Sequence, residues 1–184
     1  KVPDVTTLTI GEGYSRLAEH PEYLDQPLYR DTFEPEVIQR MKTEGVAQQK
    51  QNRWAWWMKI MTPVCQENLR KQHAGGGILA LGTDQSSGAA VHREMELLVA
   101  AGIKPLDVIT IATKNAAMVV NRDRDLGTIE AGKLADLVLL KADPTVSIDN
   151  AKLIDTVIKG GQIVDRSKLD LPVNRRTTSG GGGR

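Results

Sequence analysis

The order of apolar and polar positions divides this chain into elements. At its centre, apolar residues 78–81 follow Gly75-Gly76-Gly77 and stop abruptly at Gly82-Thr83-Asp84, before the small polar run Gln85-Ser86-Ser87-Gly88. A run of about five apolar residues between turn signals predicts a strand buried on both faces, as in a parallel sheet. Val5-Thr6-Thr7-Leu8-Thr9-Ile10 is rich in β-branched residues and runs into Gly11 and Gly13, which predicts a second strand ending in a loop. Residues 14–31 are polar and broken by Pro21 and Pro27, and read as loop with short helical turns. Pro35 suits a first helical position, with helix running to about Thr43. A second helix starts near Val46, where Trp57, Ile60, Met61, Val64, Cys65 and Leu69 recur at three and four and predict one apolar face. Pro63 lies inside it and predicts a kink, or a restart with Thr62 as N-cap. Gly75 is expected as its left-handed stop.

After the central strand, Val91, Met95, Leu98 and Val99 form a helical stripe closed by Gly102. Pro105 opens a further helix, in which Leu106, Ile109, Thr110, Thr113, Ala116, Ala117 and Val120 recur at three and four. Its small residues predict close packing on a neighbour. The texture changes near residues 121–126. Ala135-Asp136-Leu137-Val138-Leu139-Leu140 reads as strand, and two further runs joined at Gly160-Gly161 read as a tight hairpin. After Leu171 the Pro, Asn, Arg, Thr, Ser and Gly residues predict a disordered tail.

Composition narrows the function classes. The 184 residues are 40% hydrophobic, which suffices for one sizeable core or for part of a larger domain. A net charge of +1 with interspersed signs, and an aromatic content of 4%, argue against a nucleic-acid partner. No apolar run reaches the length of a membrane span, and no signal peptide is visible. A single cysteine, Cys65, excludes an intrachain disulfide; on the apolar stripe it reads as a buried structural thiol. The chain begins at Lys1 rather than Met, with a strand almost at once, so it is expected to be processed or part of a longer protein.

Asp84 is the first candidate for chemistry. It follows a buried strand, and the carboxyl end of such strands carries the active site in α/β barrels and open α/β sheets. The competing reading is local: aspartate also caps turns and helices. His20 reads as a solvated loop residue, and His73, in the last turn with Lys71, as a favourable charge at a helix C-terminus. Tyr14, Tyr23 and Tyr29 either wall a pocket or pack their own segment.

Five segments in order make a resemblance specific. They are Leu81-Gly82-Thr83-Asp84; His92-Arg93-Glu94-Met95-Glu96-Leu97-Leu98; Ala101-Gly102-Ile103-Lys104-Pro105; Ala112-Thr113-Lys114-Asn115-Ala116-Ala117; and the run from Leu126-Gly127-Thr128-Ile129 through Ala131-Gly132-Lys133-Leu134-Ala135-Asp136-Leu137-Val138. The chain resembles the C-terminal part of the amidohydrolase superfamily, in its imidazolonepropionase-like and metal-dependent prolidase-like branch. The resemblance implies an α/β fold: the C-terminal part of a (β/α)8 TIM-like barrel plus the C-terminal strands of a small β-sandwich. On that basis residues 1–122 would supply barrel strands seven and eight with their helices, 123–168 the sandwich strands and 169–184 the tail. The resemblance further implies a hydrolase of C–N bonds in a cyclic amide or dipeptide-like small molecule, using one or two divalent metal ions, zinc above all. Asp84 would be metal ligand and proton shuttle, and His92, just past the eighth strand, would face substrate. The intact parent is expected to be a homo-oligomer. The pattern also departs from the family: no two histidines here are two apart, and His20, His73 and His92 do not match the remaining ligand positions. One carboxylate falls short of the three protein ligands of a catalytic zinc, so the chain by itself is expected to be inactive. A non-catalytic relative, keeping the barrel as an interaction scaffold, is the alternative, and the upstream sequence discriminates the two.

Overall fold

The computed structural model describes residues 2–179. Contacts divide the chain into two compact units. One comprises the residues up to Gly11 together with Ile60–Val164; the other comprises Glu12–Lys59 and the stretch from Asp165. Helices α1 (Leu8–Glu19) and α5 (Arg53–Ala74) run through the points of division.

The first unit carries the central strand. Strand β1 (Asp4–Thr6) pairs in parallel with β2 (Leu79–Leu81), Thr6 opposite Leu81. Each strand is followed by helix: α1 after β1, and α6 (Gly88–Ala100) after β2. α7 (Pro105–Thr110) comes next, continues through a wide π-type turn at Ile111–Asn115, and ends in α8 (Ala116–Val119). Leu8, Leu79, Met95, Leu97, Leu98, Ile103, Val108, Ile111 and Ile148 form the core. Leu79 and Leu98 are wholly buried, each worth about 2–3 kcal/mol of apolar transfer. The Asn115 amide donates to the Leu79 carbonyl at 2.7 Å, so the helical segment satisfies a strand group as well as covering it.

The β module of this unit is antiparallel, in the order β3 (Leu137–Leu140), β4 (Ile154–Lys159), β5 (Gln162–Ile163). The last two strands turn at Gly160 and Gly161, with φ of 57° and 80°, the left-handed pair that a two-residue hairpin loop requires. Asp136 accepts from the Lys159 ammonium and from the Gly160 amide, which ties that turn to the start of β3. At Gly127, φ is 90° and an added Cβ would lie 2.7 Å from the Ala117 Cβ. The Gly-Thr-Ile step therefore packs directly on the end of the preceding helical segment.

The second unit packs residues 12–59 largely on themselves. α2 (Pro27–Arg30) and α3 (Pro35–Arg40) each open with proline; α3 continues through a π-type turn at Met41–Gly45 into α4 (Val46–Gln51). Tyr29 meets Tyr23 edge-on at 4.8 Å, and the Arg16 guanidinium lies 3.9 Å from the Tyr23 ring. Tyr23 and Tyr29 thus pack their own segment.

Several expectations are corrected here. The first strand is Asp4–Thr6; Leu8, Thr9 and Ile10 are helical, and 14–19, expected as loop, continue that helix. α5 neither restarts at Thr62 nor stops in Gly75: it runs unbroken through Pro63, and the left-handed residue is Gly76, φ 73°. Most of its apolar stripe is not core, and of the six stripe residues Leu69 is the one that packs against the core cluster. Trp57, Ile60 and Val64 are nearly half exposed and Cys65 is exposed; periodicity marks a face as apolar but does not supply its partner. Within the expected tail, α9 (Pro172–Ser179) is helical, with proline at the position where its missing N–H costs nothing. The rest of the tail, 180–184, lies outside the described residues.

Candidate functional site

The carboxyl ends of β1 and β2 lie side by side because the strands are parallel and in register. The Gly82 amide donates to the Thr6 carbonyl at 2.9 Å. The approach is so close that a Cβ on Gly82 would sit 2.6 Å from Val5 Cγ1 and 3.0 Å from the Thr6 oxygen. Glycine is thus required where the two strand ends meet.

The loop beyond is held from both sides of Asp84. Thr83 and Gln85 are tied to each other, the Gln85 amide donating to the Thr83 hydroxyl and that hydroxyl to the Gln85 carbonyl. Both are also tied to Thr9 in the first turn of α1. The Thr9 hydroxyl donates to the Thr83 carbonyl at 3.1 Å, and the Gln85 side-chain amide donates to the Thr9 carbonyl at 2.9 Å. Asp84 stands between them, exposed, with φ at +51°. Non-glycine residues avoid this region, and aspartate tolerates it chiefly when its side chain bonds nearby backbone. Here no group among the described residues hydrogen-bonds the Asp84 carboxylate. The capping alternative fails too, because α6 is capped by Ser87, whose hydroxyl accepts from the Ala89 amide at 3.2 Å. Asp84 is therefore a strained, accessible carboxylate that serves no visible local bond.

A residue that sequence reasoning passed over supports this loop. Glu94, on α6, has no exposure at all. One of its oxygens accepts from the Leu8 amide at 3.0 Å and the other from the Thr9 amide at 2.8 Å. These are two of the amides that open α1 and have no partner within the helix. The sequence signal was present but ambiguous: Glu94 lies one residue from Met95 of the apolar stripe, where a charged side chain reads as flanking rather than as buried.

His92 is half-buried one turn further along α6 from the Asp84 loop. Burial and the neighbouring Lys152 ammonium push its pKa below the usual 6.5, against a smaller opposing pull from Glu96. Its Nδ1 is buried without a hydrogen-bond partner. Glu96 is raised by burial, but hydrogen bonds from Lys152 and Arg93 outweigh this and hold it below the usual carboxylate value. No hydrogen bond among the described residues joins His92 to Asp84. The other two histidines lie elsewhere: His73 Nε2 is 3.4 Å from an Asp107 oxygen, and His20 meets Glu22 in an exposed contact. Lys133 and Asp136 serve the β module, Lys133 by donating to the Asp123 carbonyl at 2.7 Å.

Among the described residues no three His, Cys, Asp or Glu side chains gather to hold a metal ion. Asp84 alone falls short of the three protein ligands of a catalytic zinc, so the described residues do not by themselves make a metal centre. No helix among the described residues is long and apolar enough to cross a membrane.

Comparison with known proteins accounts for the segments around Asp84. The imidazolonepropionase of Geobacillus sp. (strain WCH70) is 31% identical over 140 residues, covering 72% of this chain and 32% of that protein. The imidazolonepropionase of Shouchella clausii (strain KSM-K16) is 35% identical over 105 residues, 53% of this chain and 24% of its own length. The crystal structure of a Xaa-Pro dipeptidase with bound methionine in the active site aligns with a TM-score of 0.54 at 26% identity, over 87% of this chain and 34% of that one. The chain thus spans about a third of the length of such relatives. The likeness carries a TIM-barrel-type fold, to which the parallel pair with a helix after each strand conforms. Residues 36–164 match the amidohydrolase family, and the chain belongs to it.

Proposed function

We propose that this chain is the C-terminal part of a metal-dependent amidohydrolase that hydrolyses a C–N bond, with Asp84 as its proton shuttle. On this reading residues 1–122 supply the last two barrel strands with their helices, and 123–168 supply strands of a composite β-sandwich. The observation that carries the reading is Asp84 itself. In a chain of this family, an exposed carboxylate at the carboxyl end of a parallel strand is held in a left-handed conformation that no local bond repays. A carboxylate so placed accepts a proton from water as the water attacks a carbonyl carbon, and returns it to the leaving nitrogen. Net, water adds across the C–N bond and the proton ends on the amine.

The relatives' names supply the substrate class: an imidazolone, which is a cyclic amide, or a Xaa-Pro dipeptide. Divalent metal, zinc in the first instance, belongs to the proposal with Asp84 as this chain's ligand; the other ligands would come from earlier strands. His92 enters as a substrate contact on one observation, the partnerless Nδ1. The intact protein is proposed to be a homo-oligomer acting on a small molecule.

The test is hydrolysis by the full-length protein of imidazolone propionate, followed by its ultraviolet absorbance, and of a panel of Xaa-Pro dipeptides, followed by free proline. We expect turnover of one class by the full-length protein and none by residues 1–184 alone. A full-length protein that lacks upstream His-x-His and turns over neither class contradicts the reading and leaves a scaffold.

A further inference from the structure

We infer that Glu94 is a positioning residue for Asp84, acting across 86 residues of sequence through the first turn of α1. The inference rests on the reading of Asp84 given above. Glu94 is fully buried, yet the bonds of both its oxygens go to backbone, to the Leu8 and Thr9 amides at 3.0 and 2.8 Å. Fixing those two amides fixes the orientation of Thr9. Thr9 in turn holds both neighbours of Asp84, its hydroxyl on the Thr83 carbonyl and its carbonyl on the Gln85 side chain. Among the described residues nothing hydrogen-bonds the Asp84 carboxylate, so the clamps on either side are what keep it left-handed. A strained conformation persists where the surroundings over-determine it, and this chain of bonds supplies the determination. Glu94 sits on α6 and the loop it governs opens into α6, so the linkage closes a ring: β2, Asp84 loop, α6, Glu94, α1, Thr9 and back to the loop.

The role is distinct from helix capping alone. A cap would stabilise α1 and leave turnover of the folded enzyme unchanged. A positioning residue changes kcat, since displacement of a reacting group by about an ångström costs on the order of a hundredfold, and leaves substrate binding nearly intact. Glu94→Gln keeps the volume but turns an NH2 toward one of the two amides. Thr9→Val keeps the volume and removes the hydroxyl that reaches Thr83.

The test is steady-state kinetics of the full-length protein as wild type, E94Q, T9V, E94Q/T9V and D84N, on whichever substrate class it turns over. Folding is checked by circular dichroism, and Leu8 and Thr9 amide exchange by mass spectrometry. We expect E94Q to lower kcat by at least about tenfold with KM within about twofold, and T9V to lower kcat by at least about threefold. The double variant should equal E94Q, because the two residues act in series. Amide exchange at Leu8 and Thr9 should quicken in E94Q. If E94Q does not fold, T9V carries the test. A folded E94Q or T9V with kcat within twofold of wild type, while D84N is impaired, overturns the inference and leaves Asp84 standing. A fully active D84N overturns the reading of Asp84, and this inference falls with it.

Discussion

Asp84 and Gly82 show opposite uses of backbone freedom two residues apart. Gly82 has no side chain because a Cβ would meet Val5 and Thr6. Asp84 has one despite a conformation that glycine would adopt without strain, φ +51°. The left-handed region costs a non-glycine residue about 1–2 kcal/mol, and glycine's extra chain entropy offsets about 0.5–1 kcal/mol of any relief. Asp84→Gly should therefore raise the unfolding free energy by up to about 1 kcal/mol, measured by urea denaturation. A loss of stability instead would mean that the carboxylate holds the loop together. The sequence disclosed Asp84 because strand patterning placed it after an apolar run. It did not disclose Glu94, whose two partners lie 86 and 85 residues away. It did not disclose that His92 sits beside Lys152 and Glu96 either.

Among the elements, the same long-range contact explains why the strand expected over Val5–Ile10 ends at Thr6 and gives way to helix at Leu8. Val5, Thr6, Thr7, Thr9 and Ile10 are strand formers, and the chain begins as strand. The Glu94 oxygens then take the Leu8 and Thr9 amides and start a helix there, so tertiary capping overrides β-propensity. Elements whose cues are local were legible: the Gly160-Gly161 hairpin, Pro105 at the start of α7 and Gly102, left-handed at 95°, after α6. The module boundary is likewise local and rigid. At Gly127 an alanine would need the left-handed φ of 90° and would press its Cβ against Ala117 and the Lys114 Cα. Gly127→Ala should cost about 1–3 kcal/mol, as overpacking does, read as a lowered urea midpoint; an unchanged midpoint would refute the close approach.

The pH dependence of α6 also belongs to this scale. His92 has its pKa depressed, burial being the main cause, so the unfolded chain binds a proton at a pH where the folded one does not. Stability from this group is complete above the unfolded pKa of about 6.5 and falls as pH drops through it toward the folded value. Glu96, also held low, contributes stability above the unfolded carboxylate value that is lost as pH falls through its folded pKa. His92→Gln should flatten the slope of stability as pH falls through about 6.5 while leaving the fall in the carboxylate range. A slope identical to wild type would assign the dependence to other groups.

For the whole molecule, each unit exposes large apolar side chains. Ile60, Val64 and Leu106 are exposed in the first unit, and Trp54 and Trp56 in the second. β1 and β2 form a two-stranded sheet among the described residues, an arrangement marginal in water without further strands. Residues 1–184 by themselves should therefore self-associate, seen as a mass above 20.1 kDa in sedimentation equilibrium; a cooperatively folded monomer would contradict this. The apolar stripe of α5 was legible as a face, but its cover was not: Leu69 packs on the core, while Trp57, Ile60 and Val64 stay nearly half exposed.

Asp84, left-handed and without a hydrogen-bond partner among the described residues, is the group proposed to perform the proton transfer. The most direct measurement is kcat of Asp84→Asn in the full-length protein on its best C–N substrate. Asparagine keeps the shape and tolerates the left-handed backbone, but it has no basicity. We predict a fall in kcat of at least about a hundredfold, the low end for an acid–base group, with folding intact. A folded Asn variant that turns over near the wild-type rate would show Asp84 to be a turn residue and contradict the account.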